Sequence, residues 1–307
     1  MWAEALAADW ERLRGYGLTR RRLKDLLLSS VRYIFETEVH AYAFSIAANA
    51  YLSFFPFTFI LLAICRRWLH WGGAYLMVLQ LLRVHLPVGA DSVVRNLVAV
   101  VQGRPRLQLV SVFMLLFTTS GVFLPLEIAL NKVWGFRTNR SFLRNQAVSF
   151  VLALISGVLA LSFILAVTPI QSAIDFFIGW IPSPSVIALF SRTVLEIASV
   201  PLVASIYFMI YYLLPNGKVP VIRVLPAAIA TGILTEVAKV IYFLTLPMFR
   251  FREVYGPFAL SVTLLSWAYV GALILLFGAH LSAYVFIAQE PPEAPEFHVI
   301  NPDEAAG

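Results

Sequence analysis

The sequence predicts an all-α protein that crosses a membrane several times. Of its 307 residues, 60% are hydrophobic and 13% are charged, about half the charged share of an average soluble protein. A soluble fold of this size cannot bury so much apolar surface. The apolar stretches run without alternation for about 20 residues or more, which favours helices over the strands of a β-barrel. The composition therefore excludes a soluble enzyme, a disordered chain and a disulfide-stapled secreted domain.

Six apolar segments are each long enough to cross about 30 Å of hydrocarbon at 1.5 Å per residue. The six predicted spans cover residues 41–65, 107–130, 148–170, 186–214, 222–246 and 258–288. Together they predict a six-helix transmembrane domain over residues 41–288.

Three other segments flank or interrupt these spans. Residues 1–40 are charged and amphipathic, which predicts interfacial helices on the cytoplasmic membrane surface or a solvated helical pair. Residues 66–106 hold two apolar pieces too short to cross, and we expect interfacial or packed helices there, with a re-entrant hairpin as the alternative. Residues 289–307 are rich in Pro and acids and predict a flexible cytoplasmic tail.

The basic residues predict the orientation of the protein. More Arg and Lys fall in the inner segments when both termini are placed in the cytoplasm. The net charge of +6 is thereby explained without nucleic-acid binding. One basic group follows the second span and either sets topology or binds anionic lipid headgroups. It consists of Lys132, Arg137, Arg140 and Arg144.

Three stretches carry a family resemblance. The first is Ala-Tyr-Leu-Ser-Phe-Phe-Pro-Phe at residues 50–57, and the second is Ala-Leu-Asn-Lys-Val-Trp-Gly at 129–135. The third comprises Leu-Pro-Asn at 214–216, Tyr-Gly at 255–256, Trp-x-Tyr at 267–269 and Gly-Ala at 278–279. The chain resembles the YihY/BrkB family of bacterial inner-membrane proteins, once described as ribonuclease BN.

The resemblance implies six transmembrane helices, a cytoplasmic-membrane location and links to envelope and lipopolysaccharide-lipid phenotypes, which suggest lipid export. Two positions depart from the family pattern. His280 replaces the acid of a Gly-Ala-Glu-Leu-Asn-Ala run, and Asn49 stands where the family is usually apolar.

No pattern in the sequence supports catalysis. The five His residues lie at positions 40, 70, 85, 280 and 298, and no His-x-His or His-x-x-x-His pair exists for a two-metal nuclease site. Phosphate-binding loops and a nucleophile elbow are absent from the sequence as well. We therefore predict no catalytic residue, no metal and no cofactor.

Polar residues inside the spans are the main candidates for function, because charge in hydrocarbon is costly. Glu196, Glu236 and Lys239 are expected to meet in the outer half of the membrane or near its midplane, with Asn49 as a further contributor. Glu236 and Lys239 share a helix face. They form either part of a polar substrate cavity or a self-satisfied pair that fixes helix rotation.

Four further residues are secondary candidates. Glu127 lies beside Asn131 and is expected to reach the interface and meet Lys132. His280 is expected to be a hydrogen-bonded packing residue. Arg192 is a candidate to balance the carboxylates.

These residues and the family resemblance together predict a non-enzymatic transporter or flippase-like protein for a lipid or another amphiphile, located in the bacterial cytoplasmic membrane. The alternative is a non-transporting scaffold that organises the envelope. Membrane lipids are the expected partners, and a homo-oligomer is left open.

Overall fold

The computed structural model describes residues 28–86, 90–103, 106–136, 141–178 and 184–287. Every regular element among these residues is helical, and none is a strand. Residues 28–34 are helical. The further α-helices are α1 (Thr37–Ala63), α2 (Gly72–His85), α3 (Ala90–Gly103), α4 (Arg106–Trp134), α5 (Phe142–Ile178), α6 (Pro184–Leu213), α7 (Val221–Thr245), α8 (Phe251–Tyr255) and α9 (Ala259–Ile287).

Within the described ranges, four segments are long and apolar enough to cross a membrane by length and composition: Thr37–Arg67, Leu143–Phe163, Val221–Phe249 and Glu253–Ala283. The prediction of an all-α protein with several apolar helices is therefore confirmed. Helices α4 and α6 contain 29 and 30 residues, and the count of six spans stays a prediction.

Helix α9 lies at the centre of the bundle, where it contacts α1, α4 and α7. Helix α1 packs along α4, α6 packs along α7, and α5 contacts both α4 and α6. Polar side chains tie α9 to its neighbours: the Tyr51 hydroxyl donates to Ser261 Oγ at 2.9 Å, and the Tyr242 hydroxyl donates to the Thr263 carbonyl at 2.8 Å. The outward face of α7 is apolar, as a lipid-facing helix requires. Its exposed residues include Leu225, Ile229, Ile233, Val237, Ile241 and Leu244.

Helices α2 and α3 form a separate layer, which we call the helical cap (residues 72–103). They pack against each other, against the end of α1 and against α5. A short π-helix, Ile64–Trp68, ends α1 next to this layer. The core of the cap includes Phe59, Leu62 and Cys65 of the α1 end. Helix α1 therefore belongs both to the bundle and to the cap. The position of the cap relative to the bilayer stays a prediction.

The orientation can be tested with single cysteines in a Cys65→Ser background. Gly72 and Arg144 are both exposed, and the charge distribution puts them on opposite sides of the membrane. We expect Gly72→Cys to react with a membrane-impermeant maleimide in intact cells, and Arg144→Cys to react only after permeabilisation. The reverse labelling pattern would invert the predicted orientation.

Candidate functional site

The Glu236–Lys239 pair is the most buried ion pair among the described residues. The two side chains are three positions apart on α7 and contact each other directly. They are only 14% and 13% exposed, whereas the other ion pairs in the described part of the chain involve side chains more than half exposed. The pairing expected from their spacing is present.

Helix α6 approaches α7 closely beside this pair. A Cβ atom added to Gly232 would lie 3.1 Å from the backbone nitrogen of Ala204. Lys239 follows Gly232 by seven residues, or about two turns, and so lies on nearly the same face of α7. The pair is therefore on the side of α7 that meets α6, away from the lipid-facing residues.

Two stacked tyrosines of α6 join the helices around this contact. The rings of Tyr207 and Tyr211 are 5.9 Å apart. The Tyr207 hydroxyl is hydrogen-bonded to Thr235 Oγ1 at 2.9 Å, and the Tyr211 hydroxyl donates to the Leu275 carbonyl of α9 at 2.8 Å. Gly278 of α9 faces this second contact, because a Cβ there would overlap the Tyr211 hydroxyl and Thr231. We call this contact between α6, α7 and α9 the tyrosine layer. Its residues are Tyr207, Tyr211, Thr235 and Gly278.

The side chains of Glu196 and Arg192 lie outside the part of the structure that is described. Position 196 precedes Ala204 by eight residues on α6, and Lys239 follows Gly232 by seven residues on α7. Since α6 and α7 are antiparallel neighbours, these two backbone positions lie at the same depth.

Asn49 lies elsewhere in the bundle. Its Nδ2 donates to the Ser45 carbonyl at 2.9 Å. A Cβ on Gly121 of α4 would overlap the Asn49 side chain. The absence of a side chain at Gly121 thus accommodates Asn49 in the α1–α4 contact. A contribution of Asn49 to a site with Glu236 and Lys239 stays a prediction.

Glu127 is buried and does not meet Lys132. It is 3% exposed, while Lys132 pairs across the helices with Glu38 of α1. Five residues along a helix turn the side chains about 140° apart, so the two point to different faces of α4. The expected contact between Glu127 and Lys132 is corrected accordingly.

His280 anchors the helical segment 28–34. Its Nδ1 is hydrogen-bonded to Ser30 Oγ at 3.0 Å, and its ring stacks on Tyr33 at 4.5 Å between centroids. Burial, reinforced by the nearby Glu36, raises the pKa of the Tyr33 hydroxyl above its ordinary value. Most of the predicted N-terminal segment, residues 1–27, and the tail from 288 onward lie outside the described residues.

The basic group after α4 is only partly described. Lys132 and Arg144 are exposed, and Arg137 and Arg140 lie outside the described residues. Lipid binding by this group stays a prediction. No cluster of three or more metal-ligating side chains occurs within the described ranges.

The sequence profile of a family described as Virulence factor BrkB matches residues 31–298. The chain belongs to the BrkB family. The resemblance seen in the sequence motifs is therefore confirmed.

Relatives of this BrkB protein are described as UPF0761 membrane proteins. One from Aromatoleum aromaticum is 27% identical over 178 residues, which are 58% of this chain and 42% of the relative. One from Pseudomonas aeruginosa is 32% identical over 92 residues, 30% of this chain and 22% of the relative. One from Aliivibrio salmonicida is 25% identical over 234 residues, 76% of this chain and 74% of the relative. The alignments with the first two relatives thus cover less than half of their length. No solved structure matches the chain.

Two of the BrkB motifs meet in space. Asn131, in the stretch at 129–135, accepts a hydrogen bond through Oδ1 from the backbone N–H of Asn216, at 2.9 Å. Asn216 closes the Leu-Pro-Asn stretch. A Cβ on the adjacent Gly217 would overlap the ring of Phe136. These contacts join the α4–α5 connection to the α6–α7 connection.

Sequence reasoning missed two buried polar residues of the BrkB chain. Asn145 and Ser149 lie at the start of α5 and are 5% and 0% exposed. Their signal in the sequence is the four-residue spacing, which places two polar side chains on one helix face. Tyr207, which is 8% exposed, was missed too.

Proposed function

We propose that this BrkB protein is a transporter or flippase-like protein for a lipid or another amphiphile. The observation that carries the proposal is the Glu236–Lys239 pair, which lies within a long apolar helix and on its protein-facing side. Ionisable residues inside membrane helices are costly and usually mark a path for polar groups. We assign no enzymatic activity to the chain, and we place it in the bacterial cytoplasmic membrane with both termini in the cytoplasm.

The arrangement of α6 and α7 supports a polar path between them. Position 196 of α6 lies at the depth of Lys239, the only Lys of α7. The sequence therefore places a second carboxylate, that of Glu196, at this level. A substrate headgroup that enters between the helices would replace the contact between Glu236 and Lys239 with its own contacts to each of them. In this proposal Lys239 binds the anionic group of the substrate, and Glu196 and Glu236 are the carboxylates of the path.

The contacts around the pair favour one other function, a membrane scaffold. Glu236 and Lys239 contact each other, and the tyrosine layer is closed by hydrogen bonds from Tyr207 and Tyr211. A pair that satisfies itself fixes the rotation of α7 without moving anything. A scaffold needs only this rigidity.

Lipid movement in proteoliposomes distinguishes the two functions. We would measure the rate at which a headgroup-labelled fluorescent phospholipid becomes inaccessible to an impermeant quencher. Removal of charged hydrogen-bonding groups from a path is expected to slow transport about tenfold or more. The double variant Glu236→Gln with Lys239→Met is therefore expected to move the lipid at about one tenth of the wild-type rate or less.

The matched control is the exposed pair Arg250–Glu253, which has the same three-residue spacing. Arg250→Met with Glu253→Gln is expected to transport like the wild type. If wild-type protein moves no lipid above the rate of empty vesicles, the scaffold replaces the transporter. If the buried-pair variant transports normally, the path does not use that pair.

A further inference from the structure

Four polar side chains are buried near the connection between α4 and α5, away from the tyrosine layer. Glu127 and Asn131 come from α4, and Asn145 and Ser149 come from α5. Each is at most 5% exposed. We call these four residues the hairpin cluster.

The register of the two helices places the four residues at two matching depths. Asn131 lies three residues before the end of α4 at Trp134, and Asn145 lies three residues after the start of α5 at Phe142. Glu127 and Ser149 each lie one turn further from the connection. Because α4 and α5 are packed antiparallel neighbours, Asn131 lies at the depth of Asn145, and Glu127 lies at the depth of Ser149.

Each residue of the cluster has a buried polar atom without a partner among the described residues. These atoms are Glu127 Oε2, Asn131 Nδ2, Asn145 Oδ1 and Ser149 Oγ. Buried polar groups in proteins are nearly always hydrogen-bonded, so four together require an explanation. The neighbouring Lys132 does not supply it, since it is held by Glu38.

The identity of these atoms defines the missing partner. Three are oxygens that accept hydrogen bonds: a carboxylate, an amide carbonyl and a hydroxyl. A primary ammonium has three N–H donors and a positive charge, so it matches the three oxygens in number and offsets the carboxylate. The fourth atom is a donor, because Asn131 already uses its Oδ1 to accept from Asn216. An amide donor beside an ammonium suits the phosphate that accompanies it in an aminophospholipid.

A route from the lipid phase lies next to the cluster. Leu124 and Ile128 are on the adjacent face of α4 and are exposed. Acyl chains lying on these side chains would bring a headgroup to Glu127 from the side.

We propose that the hairpin cluster binds the headgroup of a phospholipid that carries a primary amine. Glu127, Asn145 and Ser149 accept its three N–H bonds, and Asn131 donates to its phosphate. This site is separate from Glu236 and Lys239, and it serves a transporter or a scaffold equally, so its test is independent of the transport assay.

The test compares two lipids that differ only in methylation of the headgroup amine. Full-length protein in mild detergent is mixed with equal amounts of phosphatidylethanolamine and phosphatidylcholine of identical acyl chains, and the retained lipid is counted by native mass spectrometry. A quaternary amine has no N–H, so we expect phosphatidylethanolamine to be retained about tenfold more. Glu127→Gln and, separately, Ser149→Ala are expected to bring this ratio close to one.

Arg250→Gln, which alters an exposed cation outside α4 and α5, is expected to keep the wild-type ratio. A thermal unfolding curve verifies that each variant is folded, and Ser149→Ala carries the test if Glu127→Gln does not fold. The proposal is overturned if the wild type shows no headgroup preference. It is also overturned if Glu127→Gln and Ser149→Ala keep the wild-type preference. Displacement of the lipid by free ethanolamine at equal concentration overturns the lipid as the source of the amine.

Discussion

Replacing Lys239 with Met is expected to destabilise the folded protein by about 3–5 kcal/mol, because Glu236 is left as a buried charge without its partner. Glu236→Gln is expected to have a comparable effect, because it leaves Lys239 as a buried charge without its partner. Replacing both residues together, with Met at 236 and at 239, should recover most of the loss, since an apolar pair of similar volume needs no charge compensation. A double-mutant cycle on the free energy of unfolding measures this coupling.

The exposed pair Arg250–Glu253 again provides the comparison. Its side chains are 72% and 68% exposed, and a pair in water contributes about 0–1 kcal/mol. Arg250→Met should therefore shift stability by only a small fraction of the effect of Lys239→Met. Equal effects at the two sites, or a double variant as unstable as the two single effects added together, would show that burial does not couple Glu236 to Lys239.

Gly278→Ala is expected to destabilise the protein by about 1–3 kcal/mol, the usual cost of overpacking. The added Cβ would overlap Thr231 Oγ1 and the Tyr211 hydroxyl, and it would lie 2.9 Å from Thr231 Cβ. Because Tyr211 is fully buried and bonded to the Leu275 carbonyl, it has little room to move aside. We expect a lower thermal midpoint in detergent and a loss of folded protein on size-exclusion chromatography.

Gly271 offers a control in the same helix. A Cβ there would meet no atom within 4 Å, so Gly271→Ala should leave stability unchanged or raise it by up to about 1 kcal/mol through helix propensity. Adding Thr231→Ala to Gly278→Ala removes part of the overlap and should restore part of the midpoint. If Gly278→Ala and Gly271→Ala unfold at the same temperature, the glycine at 278 is not required for close packing.

The predicted spans correspond closely to helices because an apolar run of sufficient length has one stable arrangement in a bilayer. All backbone groups must bond within the segment, which a helix achieves. Helix α7 covers Val221–Thr245, against a predicted span of 222–246. Helix α5 covers Phe142–Ile178 and exceeds its predicted span, 148–170, since a helix continues past the apolar residues that reveal it. The Glu236–Lys239 contact was predictable too, because it needs only a three-residue spacing on one helix.

Contacts between helices were less predictable. The sequence did not show that Asn49 packs against Gly121 of another helix. Glu127 was expected to meet Lys132, whose partner is Glu38 of another helix. Both outcomes depend on how neighbouring helices are rotated, and that rotation is set by small residues such as Gly121 and Gly232, where backbones approach closely. A single sequence shows where the glycines are, but not which helix each of them contacts.

The burial of Cys65 has a practical consequence. This residue is the single cysteine of the chain, it is fully buried, and it belongs to the core that α1 shares with the helical cap. A thiol reagent can reach it only when α2 and α3 separate from α1, so the rate of alkylation reports how often that separation occurs. Alkylation of Cys65 therefore measures opening of the cap in the native chain, in lipid and without any introduced label.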